Sequence, residues 1–340
     1  MAVKRIGTRT LRFDNRPSVA GYASIVGKKE GEGPLAKEFD KIYDDSYLGE
    51  ASFEKAESRM QQEAFERAAS KSGFATGDIE VIYAGDLLNQ CIATSFGLRS
   101  SGVPLVGLYG ACSTFAESMM LASMTVDGGY ASRAAAIASS HFATSERQYR
   151  TPMEYGSQRA PTAQWTVTGA GACVISDSGG GIRVTHATPG RIVDLGVIDQ
   201  NNMGAAMAPS AHDTLTALFT DTGTTPADYD LVVTGDLGAV GLELLTELFK
   251  KDGVNFAENL GDCGLLIFDR KAQDVHAGGS GCGCSASVMC AHIFDKLRAG
   301  SLKRVVFAGT GAMLSPTSTM QGESVPGVCH AVVLESDVER

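Results

Sequence analysis

The segment Asp78-Ile79-Glu80-Val81-Ile82-Tyr83-Ala84-Gly85-Asp86-Leu87 returns 150 residues later as Asp228-Tyr229-Asp230-Leu231-Val232-Val233-Thr234-Gly235-Asp236-Leu237. Acids, apolar run and the closing Gly-Asp-Leu keep their order. A second pair of blocks follows. Cys112-Ser113, a helical pattern, a stop at Gly128 and Arg133 before a strand-like run correspond to Cys284-Ser285, a helical pattern, Gly300 and Arg304 before Val305-Val306-Phe307-Ala308-Gly309. Self-similarity at a long, constant period marks a duplicated architecture. We therefore read two halves, 1–178 and 179–340, packed about a pseudo-twofold axis. Equivalent elements then meet at the centre, which brings together the Asp86 and Asp236 loops and the N-termini of the two central helices.

Within a half the pattern alternates between helix and strand. Ser52 caps a helix in which Phe53, Ala56, Met60 and Ala64 share a face, with a stop at Gly73. Ile79 to Tyr83, Val103 to Leu108 and Ala134 to Ala138 read as strands, and Ser113 to Asp127 as a helix. This alternation predicts a layered α/β fold, αβαβα for two packed halves. From His141 to Trp165 the pattern lapses into a polar stretch with Pro152, Pro161, Arg147, Arg150 and Arg159, which reads as a functional loop or interface arm. The glycines of Thr168-Gly169-Ala170-Gly171-Ala172 lack the G-x-G-x-x-G spacing and a following helix, so a dinucleotide fold is excluded.

A net charge of −10 without a basic run argues against nucleic acid, though local arginines can still hold a small anion. No apolar run reaches the length of a membrane span and no signal-peptide layout opens the chain, so a cytoplasmic location is expected. The eight cysteines are then free thiols, and Cys282-Gly283-Cys284 lacks the partners that a zinc site needs. Neither a metal nor a cofactor is expected.

Cys112, in Gly110-Ala111-Cys112-Ser113-Thr114, falls where a strand gives way to a helix. Unpaired N–H groups and the helix dipole there favour a thiolate, the state of a nucleophile. Packing is the alternative, since free cysteines are often buried. Asp86 and Asp236 follow their strands as helix caps or as site residues, and His141 as a core histidine or a pocket wall. Arg147, Arg150, Arg159 and Arg191 are surface charges or bidentate anion donors.

Duplicated α/β halves with a cysteine at the first central helix resemble the thiolase superfamily, and Thr168-Gly169-Ala170-Gly171-Ala172 resembles a strand of its ketoacyl synthase III branch. That resemblance implies a cysteine nucleophile assisted by a histidine and an asparagine. This chain departs from the pattern by placing Asp236 where the histidine belongs and Cys282 where the asparagine belongs. An ionised aspartate cannot donate to an oxyanion, so condensation or thiolysis is not expected, and an acyltransferase using Cys112 is the alternative.

The strings Gly85-Asp86-Leu87-Leu88-Asn89-Gln90, Glu146-Arg147-Gln148-Tyr149-Arg150, Gly190-Arg191-Ile192-Val193-Asp194-Leu195-Gly196 and Ala277-Gly278-Gly279-Ser280-Gly281-Cys282 look like the stage V sporulation protein AD family of spore formers. The resemblance implies binding of dipicolinic acid, free or as its calcium chelate. It also implies a peripheral place in a channel complex at the spore inner membrane, with other subunits as partners. The ligand-binding set is then Cys112, Asp86, His141, Arg147, Arg150, Arg191, Asp236 and Cys282, and the thiolase fold implies a homodimer.

Overall fold

In the first half the apolar runs form strands β1 (Ser18–Val26), β2 (Val81–Gly85), β3 (Leu105–Gly107), β4 (Arg133–Ser140) and β5 (Gly169–Ser176). Helices α1 (Phe53–Lys71), α2 (Ile92–Leu98) and α3 (Thr114–Asp127) join them. The second half repeats the plan with strands β6 (Ile182–Thr188), β7 (Leu231–Thr234), β8 (Leu260–Asp262), β9 (Arg304–Ala312) and β10 (Gly327–Ser336). Its helices are α4 (Met203–Thr222), α5 (Gly238–Lys251) and α6 (Cys282–Val288). These elements belong to a computed structural model that describes residues 3–149 and 159–338.

The strand order is β8-β7-β9-β10-β6-β1-β5-β4-β2-β3, a palindrome about the β6–β1 junction. Outer pairs are parallel and inner pairs antiparallel in both halves. At the junction Arg183 pairs with Ser18, and the short first-half strand Thr10–Arg12 also pairs with β6. The duplication read from the sequence is thus visible as mirrored topology.

Period-two alternation sorts the strand side chains into layers. On β5, Ala170, Ala172 and Val174 face outward onto Ala56, Met60, Ala64 and Ala68 of α1. Cys173 and Ile175 face inward, into a central core with Phe115 and Met119 of α3 and Ala286 of α6. On the other side, Val306, Ala308, Ala331 and Val333 meet Met207, Ala211, Leu215 and Leu218 of α4. The result is five layers with α3 and α6 in the middle, as the αβαβα reading anticipates.

The middle layer is tight because glycines let backbones touch. A Cβ at Gly171 would lie 2.3 Å from the Ala286 carbonyl oxygen, and one at Gly283 would lie 2.3 Å from the Gly169 carbonyl oxygen. Neither obstacle is a flexible side-chain tip. Gly171→Ala is expected to destabilise the fold by about 2–3 kcal/mol. Gly180→Ala, whose Cβ meets nothing within 4 Å, serves as the control in thermal melts.

Two details differ from the sequence reading. Ser52 caps α1 by accepting the Lys55 N–H, as expected, but the central helix opens at Thr114, one residue later than read, behind a 3₁₀ turn at Ala111–Ser113. The stretch after His141 holds a helix, Phe142–Tyr149, rather than a loop. Its buried face is the short Thr144-Ser145-Glu146 run, which carries no apolar period to betray it.

Candidate functional site

The β2, β4 and β9 strand ends, the turn before α3 and the segment before α6 converge at the centre of the molecule. They enclose a cleft of about 50 Å³ whose walls include Cys112, Ser280, Thr166, Glu146, Tyr149 and Leu87. Ala111 adopts φ +50°, a left-handed value that costs a residue with a Cβ roughly 1 kcal/mol and turns Cys112 toward the cleft.

Cys112 is buried, its Sγ 3.9 Å from the Ser280 hydroxyl. Ser280 in turn donates to Asp236 Oδ2 at 3.0 Å, which also accepts the Gly281 N–H at 2.9 Å. Asp236 Oδ1 accepts the Thr310 hydroxyl at 2.9 Å. Thus a buried carboxylate collects three donors directly behind the thiol. Burial, then the Asp236 charge, pushes the Cys112 thiol well above its ordinary range. The thiolate expected from the helix terminus is therefore not the resting state, because the adjacent carboxylate and the loss of water outweigh the dipole.

Cys282 is fully buried and donates to the Ser139 carbonyl at 2.9 Å, and burial pushes its thiol well above the ordinary range. The structure thus brings Cys112, Asp236 and Cys282 together. Asp86 lies behind the wall, where it accepts the Leu88 and Thr94 N–H groups and the Thr94 hydroxyl. It works as a cap for the turn and helix after β2. Asp236, its equivalent in the repeat, caps nothing. Asp262 does that work in the second half, accepting the Leu237 and Gly238 N–H groups.

His141 is buried and neutral in character, since burial lowers its pKa. Its Nε2 donates to the Ser46 carbonyl at 2.8 Å, and the ring faces a different cavity. Arg147 and Arg191 do not reach the cleft. Arg147 pairs outward with Glu54, and Arg191, with a side chain 72% exposed, pairs with Asp213 at 2.6 Å. Each is held by a carboxylate on a helix, Glu54 on α1 and Asp213 on α4. Arg150 lies outside the described residues. Arg159 stands by the wall, 3.5 Å from Glu146 and donating to the Gln164 carbonyl.

Several residues of the site escape a reading by motif. Thr310 is legible through the repeat, since Arg133 and Arg304 open equivalent strands and Ser139 then corresponds to Thr310. Tyr149 and Gln148 both donate to the Leu87 carbonyl, and the Tyr149 hydroxyl also bonds that of Tyr109. Gln164 ties the Asp236 carbonyl to that of Gly279. These contacts belong to a helix and a two-residue strand that sequence periodicity leaves unmarked. Among the described residues no cluster of three His, Cys, Asp or Glu could hold a metal ion, and no helix is long and apolar enough to cross a membrane.

Solved structures share this fold. Xanthomonas campestris OleA superposes with a TM-score of 0.63 at 14% identity, covering 95% of this chain and 99% of that one. The Aquifex aeolicus 3-oxoacyl-[acyl-carrier-protein] synthase III gives 0.56 at 14% identity, over 94% and 99%. Human mitochondrial 3-ketoacyl-CoA thiolase gives 0.58 at 14% identity, over 95% and 99%. At such identities the likeness establishes a thiolase-like fold and nothing of the chemistry. Sequence similarity goes further: residues 7–335 match the stage V sporulation protein AD family. The stage V sporulation protein AD of Bacillus subtilis (strain 168) is 45% identical over 333 residues, 98% of each chain. With its mirrored halves, its altered cysteine site and this end-to-end similarity, the chain belongs to the stage V sporulation protein AD family.

Proposed function

We propose that the protein is a non-catalytic binding protein for dipicolinic acid, free or as its calcium chelate, and a peripheral subunit of a spore membrane channel complex. The observation that carries the non-catalytic part is the Asp236 carboxylate behind Cys112. Burial and, after it, this carboxylate keep the thiol protonated, and the carboxylate offers a developing oxyanion no donor. Acyl transfer from Cys112 lacks both an activated nucleophile and an oxyanion partner at this position. The cleft keeps a polar floor at Ser280 and Cys112, with the Glu146–Arg159 pair in and behind its wall. At about 50 Å³ it has room for a water or two, so ligand entry requires its wall to move.

Calorimetric titration with dipicolinate and with its calcium chelate tests the reading. Saturable heat that is weakened by Ser280→Ala and Asp236→Asn is expected, and a flat titration with both ligands sinks it. Incubation with acetyl-CoA followed by intact mass should leave Cys112 unmodified; a Cys112-dependent acyl adduct would restore the acyltransferase alternative.

The same reading includes a homodimer. Edge strand β3 bonds β2 on one side, and Leu105 and Val106 are 38% and 43% exposed, with Ile92, Phe96 and Tyr109 also exposed. An apolar edge strand with unpaired backbone groups is a template for a second copy. Sedimentation should give a dimer that Val106→Lys converts to monomer.

A further inference from the structure

On the far side of the cleft wall lies a cavity of about 580 Å³. The two spaces share one partition. The two-residue strand Trp165–Thr166 presents Thr166 to the cleft and Trp165 to the cavity, as alternation along a strand requires. The helix Phe142–Tyr149 likewise gives Ser145, Glu146 and Tyr149 to the cleft, and Phe142 and Ala143 to the cavity.

The cavity is aromatic and carries cations. Phe142 and Trp165 stack with ring centroids 4.0 Å apart at 9°. Phe53 joins the lining, stacked on Tyr47 and tilted against His141 at 5.3 Å. Lys29 Nζ sits 4.1 Å over the Trp165 ring while donating to the Gln273 carbonyl at 2.7 Å, and Lys28 stands at the rim. The wall is fixed from behind, because buried Glu30 accepts the Thr168 N–H and the Thr168 hydroxyl accepts the Phe142 N–H. Sites for small molecules usually measure about 300–1,000 Å³. The cavity falls in that range and the cleft falls below it.

We propose that this cavity is a second ligand site, one for planar aromatic carboxylates, with the ring against Phe142 and Phe53 and the carboxylate on Lys28 and Lys29. The choice of ligand class rests in part on the dipicolinate reading of the cleft, whereas the site itself rests on the cavity's size and lining. Glu30, Glu32 and Asp44 also line it, with Glu32 4.0 Å from Lys28, so a chelate carrying its own divalent cation is accommodated as well as a free anion.

Trp165 is the sole tryptophan of the chain, so its emission reports on this cavity. Full-length protein is titrated with dipicolinate, its calcium chelate and benzene-1,3-dicarboxylate, following Trp165 emission and heat in parallel. The expected result is a saturable emission change whose apparent Kd weakens about tenfold in Lys29→Gln and in Phe53→Leu, a loss equivalent to about 1.4 kcal/mol. Circular dichroism confirms that both variants fold. Heat of binding with flat Trp165 emission, and with equal affinity in Lys29→Gln, overturns the second site and leaves the cleft reading standing. A Trp165 response sensitive to Lys29→Gln, with binding indifferent to Ser280→Ala, establishes the second site and removes the cleft reading. Silence in both channels for all three ligands overturns both.

Discussion

Asp236→Ala is expected to lower the melting temperature by about 5 °C, whereas Asp236→Asn should leave the fold nearly intact and make Cys112 about tenfold more reactive. The alanine change strips the acceptor from the Ser280 hydroxyl, the Gly281 N–H and the Thr310 hydroxyl, all in the buried centre. Stranded donors cost about 1–3 kcal/mol each, and partial relaxation brings the sum to about 3–5 kcal/mol. A chain of this size converts that loss into a few degrees. The asparagine keeps the shape and an acceptor but removes the charge that opposes thiol ionisation. One pKa unit is a factor of ten in thiolate at a fixed pH below the thiol's pKa. Alkylation by iodoacetamide, resolved by peptide mass, reads the rate at Cys112. An unchanged rate in Asp236→Asn would show that burial alone silences the thiol.

Stability should also fall as pH rises from about 5 to above 8. Glu30 and Asp262 are fully buried and each is pushed up to about 7, chiefly by burial. Glu57, also buried, is raised by burial and then by the nearby Asp86 charge. Each has a folded-state pKa above its unfolded value. The folded protein therefore holds more protons than the unfolded chain between about pH 4 and the raised values. Stability is fully present below that window and is lost as pH climbs through it, by about 2 kcal/mol per carboxyl between pH 5 and pH 8. Asp221 acts in the opposite sense at low pH. Despite partial burial, the N–H groups of Thr8, Arg9 and Thr10 hold it at about 2, so its contribution disappears only as pH falls toward that value. Thermal melts across pH should peak near pH 5. Glu57→Gln, still able to meet Ser139 and Thr144, should flatten the alkaline limb. A curve rising from pH 5 to pH 8 would contradict the assignment.

The duplication made the fold legible. Its blocks at 78–87 and 228–237 are strands in matching positions of a palindromic sheet, and the turn at Cys112 is where a strand-to-helix boundary put it. The site was legible only in part. Cys112 was legible from the strand-to-helix turn and its repeat at Cys284, Asp236 from its repeat at Asp86, and Cys282 only from the resemblance to the ketoacyl synthase pattern. The arginines were misleading, because charge on a sequence says nothing of the acid that will claim it: Glu54 takes Arg147 and Asp213 takes Arg191. The helix Phe142–Tyr149 stayed hidden because its buried face, Thr144-Ser145-Glu146, is polar, with Thr144 donating to Glu57, and shows no apolar period.

The division of labour between Asp86, Asp236 and Asp262 bears on how such a protein diverges. A residue that caps its own helix is bound to that task, whichever fold it inherits. With Asp262 capping the helix of the second half, the Asp236 carboxylate is left to Ser280, Gly281 and Thr310. Exchange at Asp236 should therefore leave the cap of the second half in place, whereas exchange at Asp262 removes it.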